Sequence, residues 1–141
     1  MCNAKIILLT LLTPTIAISD GIDPAPDRFS ECQVPGGDPH EVHECYFSVG
    51  DKVEREMVQA YTNAQETLRT FDLEHSLTEE RSTSELLQET QVAFEQYRKL
   101  HCQFPEREAL GGTGSINVTV ACRVELTLYR IGQLTQHANV R

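Results

Sequence analysis

Residues 91–102 read Q-V-A-F-E-Q-Y-R-K-L-H-C, and the spacing of their apolar members decides the fold. With Leu86 and Leu87 upstream, the residues Ala93, Phe94, Tyr97 and Leu100 recur at helical intervals. This predicts an amphipathic helix with Phe94 and Tyr97 on one buried stripe and Arg98 at its border. The helix ends at Cys102, which ties that end covalently to another segment, and Pro105 is expected to terminate it.

A longer helix is read before it. Asp38-Pro39 supplies an N-cap followed by proline at the first helical position. Val42, Cys45, Val49, Val53, Met57, Ala60, Tyr61, Ala64, Leu68 and Phe71 then follow at steps of three or four, with Glu44, Asp51, Lys52, Glu54, Arg55, Gln59 and Glu66 on the solvated side. Gly50 is its one weak point. Residues 72–83 are polar and form the turn of a helical hairpin, with Ser82, Thr83 or Ser84 as cap of the central helix.

After Pro105 the segment E-R-E-A-L-G-G-T-G-S is too glycine-rich for a helix and is read as a loop. Residues 116–120 alternate weakly enough to allow a short strand, but most of this part is read as the approach to a third helix. That helix carries Ala121, Cys122, Val124, Leu126, Leu128, Tyr129, Ile131 and Leu134. The expected fold is all-α: a small three-helix antiparallel bundle, a helical hairpin plus a third helix, over residues 38–134. An extended Pro- and Gly-rich arm (20–37) precedes it and a fraying polar tail (135–141) follows.

The first 19 residues carry Lys5 and a short Ile/Leu run interrupted by Pro14, with Ala17 and Ser19 at the small positions of a cleavage site. They read as a signal peptide, leaving no integral membrane segment after its removal. Cleavage removes Lys5 and no acid, making the chain one unit more negative than its full-length −9. Such an acidic chain is unsuited to nucleic acid or anionic membranes and is suited to a basic partner. Of five cysteines, Cys2 leaves with the signal peptide. Cys32, Cys45, Cys102 and Cys122 remain, an even set that in an exported chain reads as two disulfides. No C-x-x-C pair favours zinc. If Cys102 ends the central helix where Cys45 begins the first, the expected pairing is Cys45–Cys122 with Cys32–Cys102, followed by Cys45–Cys102 with Cys32–Cys122.

Candidate chemistry is sparse. His40, Glu41, His43 and Glu44 share the first turns of helix one, but no third ligand of fixed geometry is visible, and acids collect at helix N-termini for electrostatic reasons. Arg98 and Arg130 lie beside apolar stripes, where guanidinium groups need partners. Glu54, Tyr61, Gln91 and Tyr97 are the candidates for an internal polar network. There is no nucleophile–base arrangement, so catalysis is not expected, and no cofactor is called for.

The cysteine-bearing segments resemble the LprI-type lysozyme inhibitor family of small exported bacterial helical domains. The first matches as Glu41-x-x-x-Cys45 with Glu54, Met57 and Tyr61; the second as Gln91-x-x-Phe94-x-x-Tyr97-Arg98-x-x-x-Cys102; the third as Cys122-x-x-x-Leu126-Thr127-x-x-Arg130-x-x-x-Leu134. Gly111-Gly112-Thr113 stands at the family's Gly-Gly-Ser loop, whereas Val58 and His43 stand where Asn is common, and Phe94 where Trp is usual. The resemblance spans roughly 32–134. It implies an exported protein, periplasmic or extracellular in a bacterium, that inhibits a basic cell-wall hydrolase such as a c-type lysozyme. A cell-envelope binding or assembly module without inhibitory activity is the alternative. Because the first two helices are expected to spend their apolar faces on each other, the contact is assigned to the loop around Glu106, Glu108, Gly111, Gly112 and Gly114. Its acids would steer association, and its glycines would permit close backbone approach.

Overall fold

The computed structural model describes residues 28–33, 36–75, 82–112 and 114–139. The expected signal peptide (1–19) and residues 20–27 of the expected arm lie outside the described residues. A one-turn 3₁₀ helix, Ser30–Cys32, precedes four helices: α1 Pro39–His75, α2 Thr83–His101, α3 Gln103–Glu108 and α4 Ser115–Ala138. There is no strand among the described residues.

Local chemistry starts each long helix where the sequence places it. The Asp38 carboxylate accepts the His40 backbone N–H at 2.9 Å, with Pro39 at the first helical position. Ser82 opens α2 in a reciprocal capping box with Glu85. Asp72, near the end of α1, adds a second cap across the hairpin: its carboxylate accepts the backbone N–H groups of Thr83 and Ser84 at 3.0 and 2.9 Å. Desolvation opposes ionisation of Asp72, but the hydrogen bonds from Ser84 and Thr83 outweigh it and hold its pKa at about 2.

Helix length then sets the architecture. At 37 residues α1 is about 55 Å long, while α2 at 19 residues spans about 28 Å. Descending antiparallel to α1, α2 meets Met57 at Gln91 and Glu54 at Arg98, so it ends level with the middle of α1. The last helix, α4, runs parallel to α1, from His43–Asn117 at the bottom to Thr67–Ala138 at the top. The result is an up-down-up bundle. Gly50 permits the close approach of α4, since a Cβ there would lie 3.3 Å from Val120 Cγ1.

The lopsided hairpin divides the core in two. In the upper half all three long helices contribute: Met57, Ala64, Leu68, Leu87 and Leu134 are buried together, flanked by Tyr61, Phe94 and Ile131. To the lower half α2 contributes no core residue. There Val53, Val120 and Val124 are covered by Val49, Leu128 and the arm, whose Phe29 stacks on Tyr46 at 4.3 Å between ring centroids.

This division corrects the expected disulfide pairing. The bonds are Cys32–Cys45 and Cys102–Cys122, not Cys45–Cys122 with Cys32–Cys102, nor the second choice of Cys45–Cys102 with Cys32–Cys122. Equal helix lengths would have placed Cys102 beside Cys45. The shorter α2 stops well above it, so Cys45 is left to the arm and Cys102 meets the second turn of α4. Cys32–Cys45 staples the arm to α1, and Cys102–Cys122 staples the end of α2 to α4.

Five local expectations are also corrected. Pro105 does not end the central helix; the break falls at Cys102, and Pro105 occupies the first turn of α3, where its missing N–H costs nothing. Residues 106–108 of the expected loop are therefore helical. Residues 116–120 belong to α4, which starts at Ser115, and four residues of the polar tail, 135–138, continue it. Finally, Tyr97 is 53% exposed, and the buried stripe of α2 runs instead through Leu87, Gln91, Phe94 and Arg98.

Candidate functional site

That buried stripe brings together Glu54, Gln91, Arg98 and Arg130 from three helices. Arg98 is ion-paired with Glu54 on α1 and also donates to the Thr127 hydroxyl on α4. Arg130 donates from Nε to Gln91 Oε1 at 3.0 Å, and from its terminal nitrogens to Thr90 Oγ1 and Gln133 Oε1, both at 3.1 Å. Gln91 passes its own amide protons to Glu95 Oε1 at 3.1 Å and towards Met57 Sδ at 3.7 Å. Both arginines also lie over the Phe94 ring, with guanidinium carbons 5.5 and 5.6 Å from its centroid. These are two cation–π contacts in a half-buried setting. Burial lowers the Arg130 pKa, and Tyr61 partly opposes that shift.

The network locks α1, α2 and α4 together and spends its donors internally. Tyr61 stays with the apolar cluster and accepts from Gln65 at 3.3 Å, while Tyr97 takes no part. Thr90, Phe94, Thr127 and Gln133 belong to it and were missed from the sequence. For Phe94 the signal was available, since 87, 91, 94 and 98 repeat at steps of four, three and four, whereas Thr90, Thr127 and Gln133 depend on how the helices pack.

Tyr97 lies on a second stripe of α2 that faces solvent. Leu86, Thr90, Ala93, Tyr97 and Leu100 follow one another at alternating steps of four and three, and all are exposed. Leu86 is 44% exposed and Leu100 54%, and Phe104 on α3 continues the line at 63%. Tyr97 stacks on His101 at 5.2 Å, and His101 meets Phe104 edge-on at 6.1 Å. The expectation that α2 uses its whole apolar face in the hairpin is therefore overturned. An aromatic-rich ridge stands uncovered along this helix.

In the loop, Leu110 and Gly111 both adopt left-handed backbone, with φ of 51° and 71°. They close the turn from α3 to α4 through Gly112 N–H to Ala109 C=O at 3.0 Å and Ser115 N–H to Gly112 C=O at 2.9 Å. Gly111 has a conformational reason to be glycine. Glu106 and Glu108 are exposed on α3, and Gly114 is the N-cap of α4. In the histidine cluster, His43 bonds Asn117 Oδ1 at 2.9 Å and meets the Phe47 ring edge-on, while His40 lies 3.7 Å from Glu44. No group of three His, Cys, Asp or Glu able to hold a metal ion occurs among the described residues. No helix among them is long and apolar enough to cross a membrane.

The sequence profile of one family, described as Lysozyme inhibitor LprI, matches residues 32–134, a span that begins at the first bridging cysteine and ends in the last core leucine. No curated protein and no solved structure matches the chain. With most of its length, both disulfides and the interhelical arginine network inside that match, the chain belongs to the LprI family of lysozyme inhibitors.

Proposed function

We propose that this protein is exported and, in the periplasm or outside the cell, binds and inhibits a basic cell-wall hydrolase such as a c-type lysozyme. It acts as a binding protein with no catalysis of its own. The observation that carries this reading is the family match over the whole disulfide-stapled domain. The net charge of −9 supports it, because such a chain is drawn to a basic enzyme and its association accelerates.

The contact surface in this proposal is the outer ridge of α2 rather than the loop. The loop glycines are occupied with turn geometry, whereas the ridge of Tyr97, Leu100 and Phe104 is apolar, rigid and uncovered. Aromatic anchors of this kind carry most of the energy of protein interfaces. A helix is about 10 Å wide, which suits a protruding ridge to an enzyme's substrate groove. Glu108 follows Phe104 by one helical turn and adds an acid beside the ridge.

The test is a turbidity assay of cell-wall lysis against several lysozymes, paired with binding kinetics at rising salt. Inhibition that weakens with salt through slower association supports the reading. Binding without loss of lytic activity would assign the protein to the envelope-module alternative. No binding to any lysozyme would remove the proposal.

A further inference from the structure

We propose that the cleft between α3 and the start of α4 binds a small dianionic ligand bearing phosphate or carboxylate oxygens. The cleft has a volume of about 580 Å³ and is lined by Lys99, Arg107 and Arg123, with Gln103, Ser115 and Glu106. That volume is in the range of small-ligand sites.

The case rests on where this chain keeps its positive charge. It has 21 Asp and Glu against 12 Lys and Arg, so a patch drawn at random is negative. Here three cations share one cleft with a single acid, Glu106, for a local balance of +2. Elsewhere the inward-facing arginines are ion-paired or hydrogen-bonded: Arg28 lies 3.4 Å from Glu56, Arg98 is paired with Glu54, and Arg130 serves Gln91, Thr90 and Gln133. Lys99, Arg107 and Arg123 have no side-chain ion pair or hydrogen bond among the described residues. Like charges sharing a cleft with too little counter-charge repel one another, and a bound dianion relieves that repulsion.

The donors also suit oxygen ligands. Two guanidinium forks match carboxylate or phosphate in bidentate fashion, and the lysine adds a mobile point charge. The Ser115 hydroxyl and the Gln103 amide have no partner among the described residues and complete the donor set. Thr119, also in the wall, has its proton committed to the Ser115 carbonyl at 2.9 Å. The walls are preorganised, because the Cys102–Cys122 bond joins the α2–α3 junction carrying Lys99 and Gln103 to the α4 turn carrying Arg123. Less ordering entropy is then lost on binding.

The experiment is a titration of the oxidised protein with inorganic phosphate and, separately, with succinate, followed by amide chemical shifts against chloride at matched ionic strength. Saturable shifts centred on Gln103, Arg107, Gly111, Ser115 and Arg123 are expected. Saturation by phosphate alone identifies a phosphate-bearing ligand, and saturation by succinate alone a dicarboxylate. Lys99→Gln with Arg123→Gln should weaken binding at least tenfold with the melting temperature unchanged, since both side chains are exposed. Arg55→Gln with Arg69→Gln, outside the cleft, should leave affinity intact. Shifts that follow chloride equally, or full affinity in the folded Lys99→Gln/Arg123→Gln protein, would overturn the site.

Discussion

Replacing Gln91 by Leu and Arg130 by Met, singly and together, measures whether the polar network holds the three helices as a unit. Gln91→Leu removes the acceptor 3.0 Å from Arg130 Nε while the guanidinium stays in place, its residue only 7% exposed. Losing a charge-assisted hydrogen bond of this kind costs about 1.5–3 kcal/mol. Arg130→Met leaves the Gln91 carbonyl without its donor in a residue 6% exposed, again about 1–3 kcal/mol, and removes a cation–π contact with Phe94, about 0.5–1 kcal/mol more. In the double variant both unmet groups are gone. The two introduced apolar side chains would then face Met57 and Phe94, and such replacements of buried polar pairs cost little or are stabilising. Thermal unfolding followed by helical circular dichroism should therefore show each single variant melting about 5–20 °C lower, at roughly 3–5 °C per kcal/mol for a chain of this size. The double variant should lie within about 8 °C of the parent. The coupling expected is about 2 kcal/mol. A double variant as damaged as the sum of the singles would refute the idea that these residues act as one network.

The cross-hairpin cap makes an acid prediction. Because the Asp72 pKa is lowered in the fold from its ordinary 3.8 to about 2, its contribution is complete above pH 3.8 and is lost as pH falls through 2. Asp72→Asn should accordingly be less stable than the parent at neutral pH and converge with it near pH 2. A gap that persists undiminished at pH 2 would exclude the linkage. Non-reduced peptide mapping should recover Cys32–Cys45 and Cys102–Cys122, which close loops of 13 and 20 residues. Removing either pair should cost about 3 kcal/mol in urea unfolding, and any free thiol would contradict the pairing. Gly111→Ala should lower stability by about 1 kcal/mol through its φ of 71°, with no steric contribution since nothing lies within 4 Å of an added Cβ; an unchanged melting temperature would mean the turn readily adopts another conformation. On the ridge, Tyr97→Lys with Leu100→Lys should leave unfolding unaltered and slow or abolish lysozyme binding. Intact binding would move the contact elsewhere.

The long helices were legible because their evidence is local. Asp38-Pro39, the capping sequence at Ser82 and the long apolar stripe of α1 each act within a few residues, and the structure follows them. What failed depended on comparing elements. Nothing local says that α2 is half the length of α1, yet that ratio moves Cys102 away from Cys45 and settles both disulfides. The same limit explains Tyr97. Hydrophobic periodicity finds apolar stripes, but α2 carries two, one through Leu87 and Phe94 and one through Tyr97 and Leu100. Only the packing of α1 and α4 chooses between them. Pro105 misled for a smaller reason: proline stops a helix that is under way and is tolerated in the first turn of a new one, and the break at Cys102 comes first.

The inner stripe of α2 is the less hydrophobic of the two, and this has a consequence for how binding and stability are separated. Of its members only Leu87 and Gln91 are fully buried, so α2 brings little apolar area to the core. It is held at its ends and by polar bonds instead. Asp72 and the capping box fix its start, the Cys102–Cys122 bond fixes its finish, and Arg98 and Arg130 fasten its middle. A helix secured in this way does not need its outer face for folding. Leu86, Tyr97 and Leu100 are each about half exposed and belong to neither buried core cluster, so substitutions there cost the bundle far less than those on the inner stripe. The arginine network, by contrast, cannot be altered one residue at a time without leaving a buried polar group unmet. The division of labour along α2 is therefore physical: its polar side is constrained by the fold, and its apolar side is available for recognition.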